Sequence, residues 1–384
     1  MKMTGIHPHI VFGGWRNWVF VEVQTDEGIT GCGEATLEGK EKAVTGAVED
    51  FGRTLIGKDP RQVEYHWTTM VRDSYWRKGP VLSTALGALD IAMWDILAQS
   101  LGVPVYQLFG GPFRTEVSAY ANGWYFGAVS VDDYAERAHA TVRKGFQALK
   151  WDPFRFADTV VSNEDEAFAV ACVGAVRDAV GPEVKLFIEA HGRFNPETAL
   201  SLIRKLEPFN ITWFEEPVPP DLLTGLAEVA RRSPIPIAAG ERFYTRYDFL
   251  EPLRQGMMQF VQPDVLHVGG LSEARKIAAL AEAHGRSVYP HNAAGPVGTA
   301  ATLQLAAAIP NFGMLEYFYH DAPWRDEVCL PAIEVRGGVA KIPSTPGLGL
   351  SLNHEVADAH PYRPMDLQFF SADSTLTRSP LEAS

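Results

Sequence analysis

Three glutamates close short apolar runs at a constant interval along the chain. Glu189, Glu215 and Glu241 follow one another at a spacing of 26 residues. The runs span residues 184–190, 211–217 and 234–241, and a helical pattern follows each of them. This interval is about the length of one strand plus one helix, and the strands of a (β/α) barrel all end on the same face. The sequence therefore predicts an acidic cluster on one barrel face, and three oxygen ligands suit a hard divalent cation, most of all Mg²⁺.

The same alternation of strand and helix patterns extends over residues 113–344 and favours parallel βαβ units. The predicted strands end near Asn122, Lys150, Glu189, Glu215, Glu241, Asp264, His291 and Glu316. Eight such units are the number that closes a barrel. A charged side chain at a buried strand end must form an ion pair, bind a ligand or take part in function. The ionisable residues at these strand ends therefore indicate that the functional site lies at one rim of the barrel.

The first third of the chain has a different pattern. The β-rich runs 18–24 and 29–34 flank a turn at 26–28, which predicts a hairpin. Helical patterns follow at about 39–56, 61–75 and 81–102, and a Gly-Gly-Pro sequence at 110–112 marks a boundary. We therefore expect an α/β protein: residues 1–112, completed by the C-terminal segment 345–384, form an α+β capping domain on a modified TIM (β/α) barrel of residues 113–344. The last dozen residues are predicted to be disordered.

Composition restricts the partners and the location. The net charge of −13 argues against nucleic acid and against an anionic membrane surface, both of which require basic residues. The 3 cysteines have no CxxC spacing, so neither a disulfide framework nor a thiolate metal site is expected. The first residues lack a signal-peptide pattern, and no apolar run approaches the roughly 18 residues of a membrane span. A cytoplasmic protein is the expectation.

Asp264 and His291 close two successive predicted strands, residues 260–264 and 286–291. Neighbouring strands can bring the two side chains together. A carboxylate that bonds one imidazole nitrogen orients the ring and raises its basicity, as a general base requires. The alternative interpretation is a structural ion pair or a core histidine, and the acidic cluster nearby favours the catalytic one.

Seven motifs along the chain have a recognisable order and spacing. They are RKGPVLSTALGALDIAMWDILAQSLGVPVYQLFGG (77–111), FIEAHGRFN (187–195), FEEPVPP (214–220), AAGERF (238–243), VQPDVLHVGG (261–270), PHNAAGPVGTAATLQLAAAIPNF (290–312) and LEY (315–317). Together they resemble the enolase superfamily, in particular the mandelate racemase branch and its galactonate and gluconate dehydratase-like acid-sugar enzymes. The resemblance covers nearly the whole chain.

The resemblance implies a role for each residue that matches a family motif. It implies Mg²⁺ ligands at Glu189, Glu215 and Glu241, a His–Asp dyad at His291 and Asp264, a general acid at His191, a substrate-binding carboxylate at Glu316, and the first lysine of a Lys-x-Lys pair at Lys150. Trp15, Tyr75 and Arg77 lie on loops that fold over the barrel mouth in the family. All three are candidate substrate-binding residues, and Tyr75 and Arg77 would bind substrate hydroxyls, with surface or interface packing as the alternative.

Two positions depart from the family pattern. Glu189 stands where the first metal ligand is usually Asp, and Asp152 replaces the second lysine of Lys-x-Lys. In racemases that lysine is the base facing His291 across the substrate, so its absence disfavours racemisation and favours dehydration. Asp152 is predicted either to accept a bond from a substrate hydroxyl or to pair with Lys150, with pairing slightly preferred.

These inferences favour a Mg²⁺-dependent dehydratase of an acid sugar. His291 would remove the C2 proton next to the carboxylate, and His191 would protonate the oxygen leaving C3, which gives a 2-keto-3-deoxy acid. The alternative is a cycloisomerase that opens an anhydro-aldonate or a sugar lactone through the same enediolate, and a non-catalytic paralogue is a remote one. Family members often form dimers or octamers, so a homo-oligomer is expected.

Overall fold

The structure is a computed structural model that describes residues 1–155, 157–319 and 321–365. The chain begins with an antiparallel sheet in the order β1-β2-β3, formed by β1 (Met3–Phe12), β2 (Asn17–Thr25) and β3 (Thr30–Glu34). The predicted hairpin is therefore confirmed, whereas β1 was not predicted. β1 pairs only with β2 in this sheet, and its edge position tolerates Pro8, which has no N–H to donate. The residues predicted to be disordered lie outside the described residues.

Four helices follow this sheet: α1 (Glu41–Leu55), α2 (Val63–Asp73), α3 (Pro80–Leu101) and α4 (Val105–Leu108). The three longer ones confirm the predicted helical segments. α3 is apolar on nearly all sides because it packs against β3, α1 and α2, and it ends at Gly102 in the left-handed conformation. Its length and composition would allow it to cross a membrane, but 78% of the relevant window is buried inside the protein. It is the core helix of this part of the molecule.

A parallel sheet occupies the middle of the chain and confirms the predicted alternation. Its strands are β4 (Glu116–Asn122), β5 (Ala148–Trp151), β6 (Lys185–Glu189), β7 (Trp213–Glu215), β8 (Ile237–Ala239), β9 (Phe260–Val261), β10 (Ser287–Val288) and β11 (Leu315–Phe318). The helices between them are α5 (Val131–Arg143), α6 (Asn163–Val180), α7 (Pro196–Leu206) with a 3₁₀ turn (Glu207–Phe209), α8 (Leu223–Arg232), α9 (Arg246–Arg254), α10 (Leu271–Ala283) and α11 (Pro296–Ala308).

The two ends of this row of strands meet. β11 pairs in parallel with β4, and Val288 of β10 forms a parallel bridge with Phe312, just before β11. The Val288 N–H donates to the Asn311 carbonyl at 2.8 Å, and Gly313 N–H donates to the Val288 carbonyl at 2.8 Å. The interior holds a separate apolar cluster in which Phe187 and Trp213 stack with ring centroids 3.5 Å apart. The fold is thus a modified (β/α) barrel with an N-terminal α+β cap, as predicted.

The C-terminal elements connect the barrel to the cap. They are α12 (Arg325–Val328), β12 (Cys329–Leu330), β13 (Val335–Arg336), β14 (Val339–Lys341), β15 (Ser351–Leu352) and α13 (His354–Ala359). Val11 of β1 bridges to Pro361, and the Asn17 side chain bonds both backbone groups of Arg363, at 2.8 and 3.1 Å. The described part of segment 345–384 therefore contacts the cap sheet, while the domain boundaries themselves stay a prediction.

The predicted strand ends are only partly correct. Glu189 and Glu215 end β6 and β7, but Glu241, Asp264 and His291 lie two or three residues beyond β8, β9 and β10, on loops. A glycine with positive φ follows β8, and a proline, which lacks an N–H, stands between each of the other two strands and its ionisable residue. Strand pairing stops at these positions, so the three ionisable residues lie on the loops that follow the strands.

Candidate active site

A cavity of about 360 Å³ lies between the cap and the carboxyl ends of the barrel strands. Its walls are Trp15, Leu37, Glu38 and Pro80 from the cap, and Asn122, Tyr125, Lys150, His191, Glu241, Arg242, Tyr244, His267, His291, Ala293 and Phe318 from the barrel. Five of these side chains, namely those of Trp15, Lys150, His191, Glu241 and His291, were predicted as site residues. The predicted rim is therefore the place where the structure forms a pocket.

The three regularly spaced glutamates converge beside this cavity, and Glu241 lies in its wall. Each of Glu189, Glu215 and Glu241 offers a carboxylate oxygen, and these oxygens lie within 4.8 Å of one another. Burial, followed by repulsion from Glu189 and Glu241, raises the pKa of Glu215 well above its ordinary value. A cluster of this kind is costly without positive charge among the oxygens.

Lys150, on β5, supplies part of that positive charge. Its Nζ lies 2.6 Å from Glu215 Oε1 and 3.2 Å from oxygens of both Glu189 and Glu316. Burial acts to lower the pKa of Lys150, but the three carboxylates raise it well above its ordinary value. The lysine is therefore a fixed cation in the wall of the cavity.

The donor set fits a hard divalent cation. Glu189 Oε1 accepts the backbone N–H of His191 at 2.6 Å, whereas Glu189 Oε2 is buried and makes no hydrogen bond, although Lys150 Nζ lies 3.2 Å away. A buried carboxylate oxygen without a hydrogen-bond partner, close to two further carboxylates, is the arrangement that Mg²⁺ satisfies. The glutamate at this position keeps one oxygen on the backbone and leaves the other to the cluster.

His291 and Asp264 form the predicted dyad. His291 Nδ1 lies 2.7 Å from Asp264 Oδ2, and Nε2 of the same ring lies 3.6 Å from Glu241 Oε2. Because an ionised carboxylate only accepts hydrogen bonds, Nδ1 carries a proton, and in the neutral form of the ring Nε2 has the lone pair. Burial acts to lower the pKa of His291, but Glu241 and Asp264 raise it well above its ordinary value.

A second imidazole–carboxylate pair faces the same cavity. His191 Nδ1 lies 2.7 Å from Asp152 Oδ2, and Arg193 donates to the same carboxylate. The preferred prediction, that Asp152 pairs with Lys150, is wrong: Asp152 follows the end of β5, where its Oδ1 accepts the N–H of Phe154 at 2.8 Å, and its other oxygen turns towards His191. Asp152 is not one of the side chains lining the cavity, so the structure places it behind His191.

Glu316 on β11 is fully engaged in hydrogen bonds. Its Oε1 accepts the Asn122 side-chain N–H at 2.8 Å, and its Oε2 accepts the Asn292 backbone N–H at 3.0 Å. With Lys150 3.2 Å away, the carboxylate holds two side chains that line the cavity, Lys150 and Asn122. The structure thus brings Glu316 to the site but behind its wall.

The three predicted cap residues lie at different places in the structure. Trp15 is buried and packs against Phe318, with ring centroids 5.5 Å apart, where it forms part of the cavity wall. Tyr75 is 86% exposed, and Arg77 lines a different, small cavity beside Trp67. Neither Tyr75 nor Arg77 lines the candidate site, and their binding of substrate stays a prediction.

Several cavity residues were not predicted from the sequence. Arg242 forms a bidentate ion pair with Glu216, with hydrogen bonds of 2.6 to 3.1 Å. His267 lies 3.7 Å from Asp264 and bonds Thr84 at 2.8 Å. The side chains of Arg242 and His267 lie in loops that follow predicted strand ends. That position is the signal that could have identified them.

Two family models match the chain. Residues 9–110 match the mandelate racemase / muconate lactonizing enzyme N-terminal domain, and residues 133–356 match the enolase C-terminal domain-like family. The two matches correspond to the cap and to most of the barrel.

Individual proteins resemble the chain over nearly its full length. A D-galactonate dehydratase from Variovorax paradoxus is 36% identical over 361 residues, which cover 92% of this chain and 93% of that protein. A D-gluconate dehydratase from Thermoproteus tenax is 35% identical over 92% of this chain and 72% of that protein. Among solved structures, a member of the enolase superfamily from Salmonella Typhimurium has a TM-score of 0.90 at 30% identity, covering 94% of this chain and 98% of that one.

Proposed function

The chain belongs to the mandelate racemase / muconate lactonizing enzyme family of the enolase superfamily, and on that premise we propose that it is a Mg²⁺-dependent acid-sugar dehydratase. The reaction would remove the proton from C2, next to the substrate carboxylate, and expel the C3 hydroxyl as water. The product would be a 2-keto-3-deoxy sugar acid. Relatives named D-galactonate and D-gluconate dehydratases support an open-chain aldonate as the substrate.

One observation carries this proposal. Two histidines line a single cavity beside the acidic cluster, and each is bonded through Nδ1 to its own aspartate at 2.7 Å. Elimination of water from neighbouring carbons needs one group that accepts a proton and another that donates one. A pair of separately oriented imidazoles meets that requirement.

The two histidines have different roles in this scheme. His291 accepts the C2 proton at Nε2, because Nδ1 already donates to Asp264. His191 delivers a proton to the C3 oxygen from Nε2, since its Nδ1 contacts Asp152. The C3–O bond then breaks, water leaves, and the resulting enol tautomerises to the ketone.

Positive charge at the substrate carboxylate makes the first step accessible. Glu189, Glu215 and Glu241 would hold Mg²⁺, which supplies charge that stabilises the carboxylate as negative charge develops on it. Lys150 adds a fixed cation in the cavity wall. Because the neighbouring carboxylates raise its pKa, the lysine keeps its proton and serves electrostatic stabilisation more than proton transfer. Glu316 positions Lys150 and Asn122.

The test is a turnover assay with a panel of acid sugars in the presence of Mg²⁺. D-Gluconate, D-galactonate, an aldarate and an anhydro-aldonate would be incubated with the enzyme, the keto product detected with semicarbazide, and C2 proton exchange followed by NMR in D₂O. We expect one aldonate to give product, and His291→Asn to lose both exchange and turnover by about 10²- to 10⁴-fold.

The matched control is His284→Asn, an exposed histidine at the end of α10, which should turn over like the wild type. Absence of product and of C2 exchange with every compound would contradict the proposal. Ring opening of the anhydro-aldonate without loss of water would favour the cycloisomerase instead. We also expect a cytoplasmic location, which cell fractionation would test, and a homo-oligomeric assembly, which size-exclusion chromatography would test.

A further inference from the structure

A second group of metal-ligating side chains lies on the cap. It consists of His9 on β1, Glu22 on β2 and His354 at the first position of α13. Each offers one ligand atom, and these atoms lie within 4.8 Å of one another. Among the described residues, this group and the three glutamates of the active site are the two that meet this criterion. We propose that His9, Glu22 and His354 bind a divalent transition metal, with Zn²⁺ as the occupant.

The spacing of the ligand atoms supports this assignment. His9 Nε2 lies 3.1 Å from Glu22 Oε2, and His354 Nε2 lies 3.2 Å from Glu22 Oε1. Zn²⁺ binds imidazole nitrogen and carboxylate oxygen at about 2.0–2.2 Å, so two tetrahedral ligands stand roughly 3.3 Å apart. Both imidazoles therefore present Nε2 to one carboxylate at nearly the separation that a shared ion imposes.

The donor types distinguish this site from the acidic cluster. Two imidazole nitrogens and one carboxylate oxygen suit Zn²⁺, Co²⁺ or Ni²⁺, whereas Mg²⁺ prefers oxygen alone. The Glu22 side chain is buried, and each of its two carboxylate oxygens faces one of the imidazoles. His354 is 54% exposed, which gives an ion a path from solvent and leaves room for water as a further ligand.

The three elements that supply the ligands explain what the ion would do. β1 and β2 are neighbouring strands of the cap sheet, and α13 belongs to the C-terminal segment that returns to it. An ion held by all three ties the end of the described chain to the N-terminal sheet. Binding to the folded state alone would raise stability by mass action.

The test is metal binding by the full chain after chelator treatment, with millimolar Mg²⁺ present to fill the acidic cluster. Co²⁺ is titrated as a visible-absorption probe of nitrogen ligation, and Zn²⁺ is then added to displace it. We expect one Zn²⁺ per chain. The Zn²⁺ affinity should fall in His354→Gln and in His9→Gln, in each case by at least the roughly 10- to 100-fold that loss of an outer-shell partner costs. Zn²⁺ should raise the Tm of the wild type and leave that of His354→Gln unchanged.

His139→Gln, an exposed histidine on α5, is the matched control and should bind Zn²⁺ like the wild type. Because His354 is exposed, its variant should keep the metal-free Tm, which separates loss of a ligand from loss of the fold. Wild-type Zn²⁺ affinity in His354→Gln, or Zn²⁺ binding that Mg²⁺ abolishes, would overturn the proposal. Turnover is not measured, so the outcome is independent of the proposed function.

Discussion

At the scale of single residues, Asp152 determines which nitrogen of His191 carries a proton. Replacing it with asparagine keeps the shape but removes the negative charge, and the amide NH₂ can then donate to Nδ1, so the tautomer is no longer fixed. We expect Asp152→Asn to lower kcat by about 10- to 100-fold with little change in KM. C2 exchange in D₂O should persist, because His291 and Asp264 are untouched, so elimination and exchange separate in this variant.

Asp158→Asn is the control for this substitution, because Asp158 is an exposed acid a few residues along the same loop. The Tm of both variants should be compared first, since Asp152 also pairs with Arg193. Equal losses of exchange and elimination in Asp152→Asn would mean that Asp152 supports the site as a whole and does not position His191.

A second residue-scale prediction concerns the acidic cluster. Glu215→Gln retains an oxygen that can accept from Lys150 but removes one charge from the ligand set. We expect the Mg²⁺ concentration for half-maximal activity to rise at least about tenfold, and the gain in Tm on adding Mg²⁺ to shrink. Full activity of the wild type in excess chelator would contradict the assignment of the cluster to a metal.

At the scale of elements, α3 carries two buried carboxyl groups that fix its neighbours. Asp90 accepts bonds from the backbone and side chain of Ser272, and Asp95 accepts from the N–H groups of Cys32 and Leu348. Burial raises the pKa of Asp90 to about 7 and that of Asp95 to about 6, against the opposing hydrogen bonds. The helix is therefore held by groups that stay protonated in mildly acidic solution.

The pH dependence of stability follows from Asp90. The pKa of Asp90 is about 7 in the folded state and about 4 in the unfolded state. Its contribution to the free energy of unfolding is therefore fully present below pH 4 and is lost as the pH rises towards 7. Each pKa unit corresponds to about 1.4 kcal/mol. We expect the Tm of the wild type, relative to Asp90→Asn, to fall as the pH rises from about 5 to about 8.

Asparagine at this position can still accept from the Ser272 N–H and donate to its hydroxyl, so the comparison isolates the titration. Asp178→Asn, at an exposed position on α6, should show a Tm difference that does not vary over this range. A constant difference between the wild type and Asp90→Asn would show that Asp90 does not titrate between these pH values.

The sequence predicts elements well where a local pattern determines them. The strand–helix alternation identified the barrel, and Glu189 and Glu215 were placed at strand ends because apolar runs stop there. β1 was missed because Gly5 and Pro8 interrupt its pattern, which only the edge of a sheet tolerates. The partner of Asp152 was mispredicted because side chains beyond a strand end no longer follow its alternation.

At the scale of the whole molecule, the cavity exists only where the cap meets the barrel. Trp15 from the cap packs on Phe318 of β11, and both line the cavity. We expect Trp15→Phe to raise KM by about fivefold, equivalent to about 1 kcal/mol of lost contact, with kcat nearly unchanged. Steady-state kinetics with the preferred aldonate is the measurement.

Trp76→Phe serves as the control, because Trp76 is 79% exposed on a cap loop and does not line the cavity. A KM effect of the same size in that variant would assign the effect to the cap in general. Contacts of this range could not be predicted from the sequence. Trp15 and Phe318, like His9 and His354, lie far apart along the chain, and no periodicity relates them.

The return of the C-terminal segment to β1 and β2 has a consequence for synthesis on the ribosome. The N-terminal sheet emerges first, but Val11 and Asn17 gain their partners Pro361 and Arg363 only after those C-terminal residues have been translated. The barrel, whose strands pair largely in order of emergence, can assemble earlier. These long-range contacts form late, so a nascent chain that stalls after the barrel but before Pro361 has its barrel without the finished lid above its mouth.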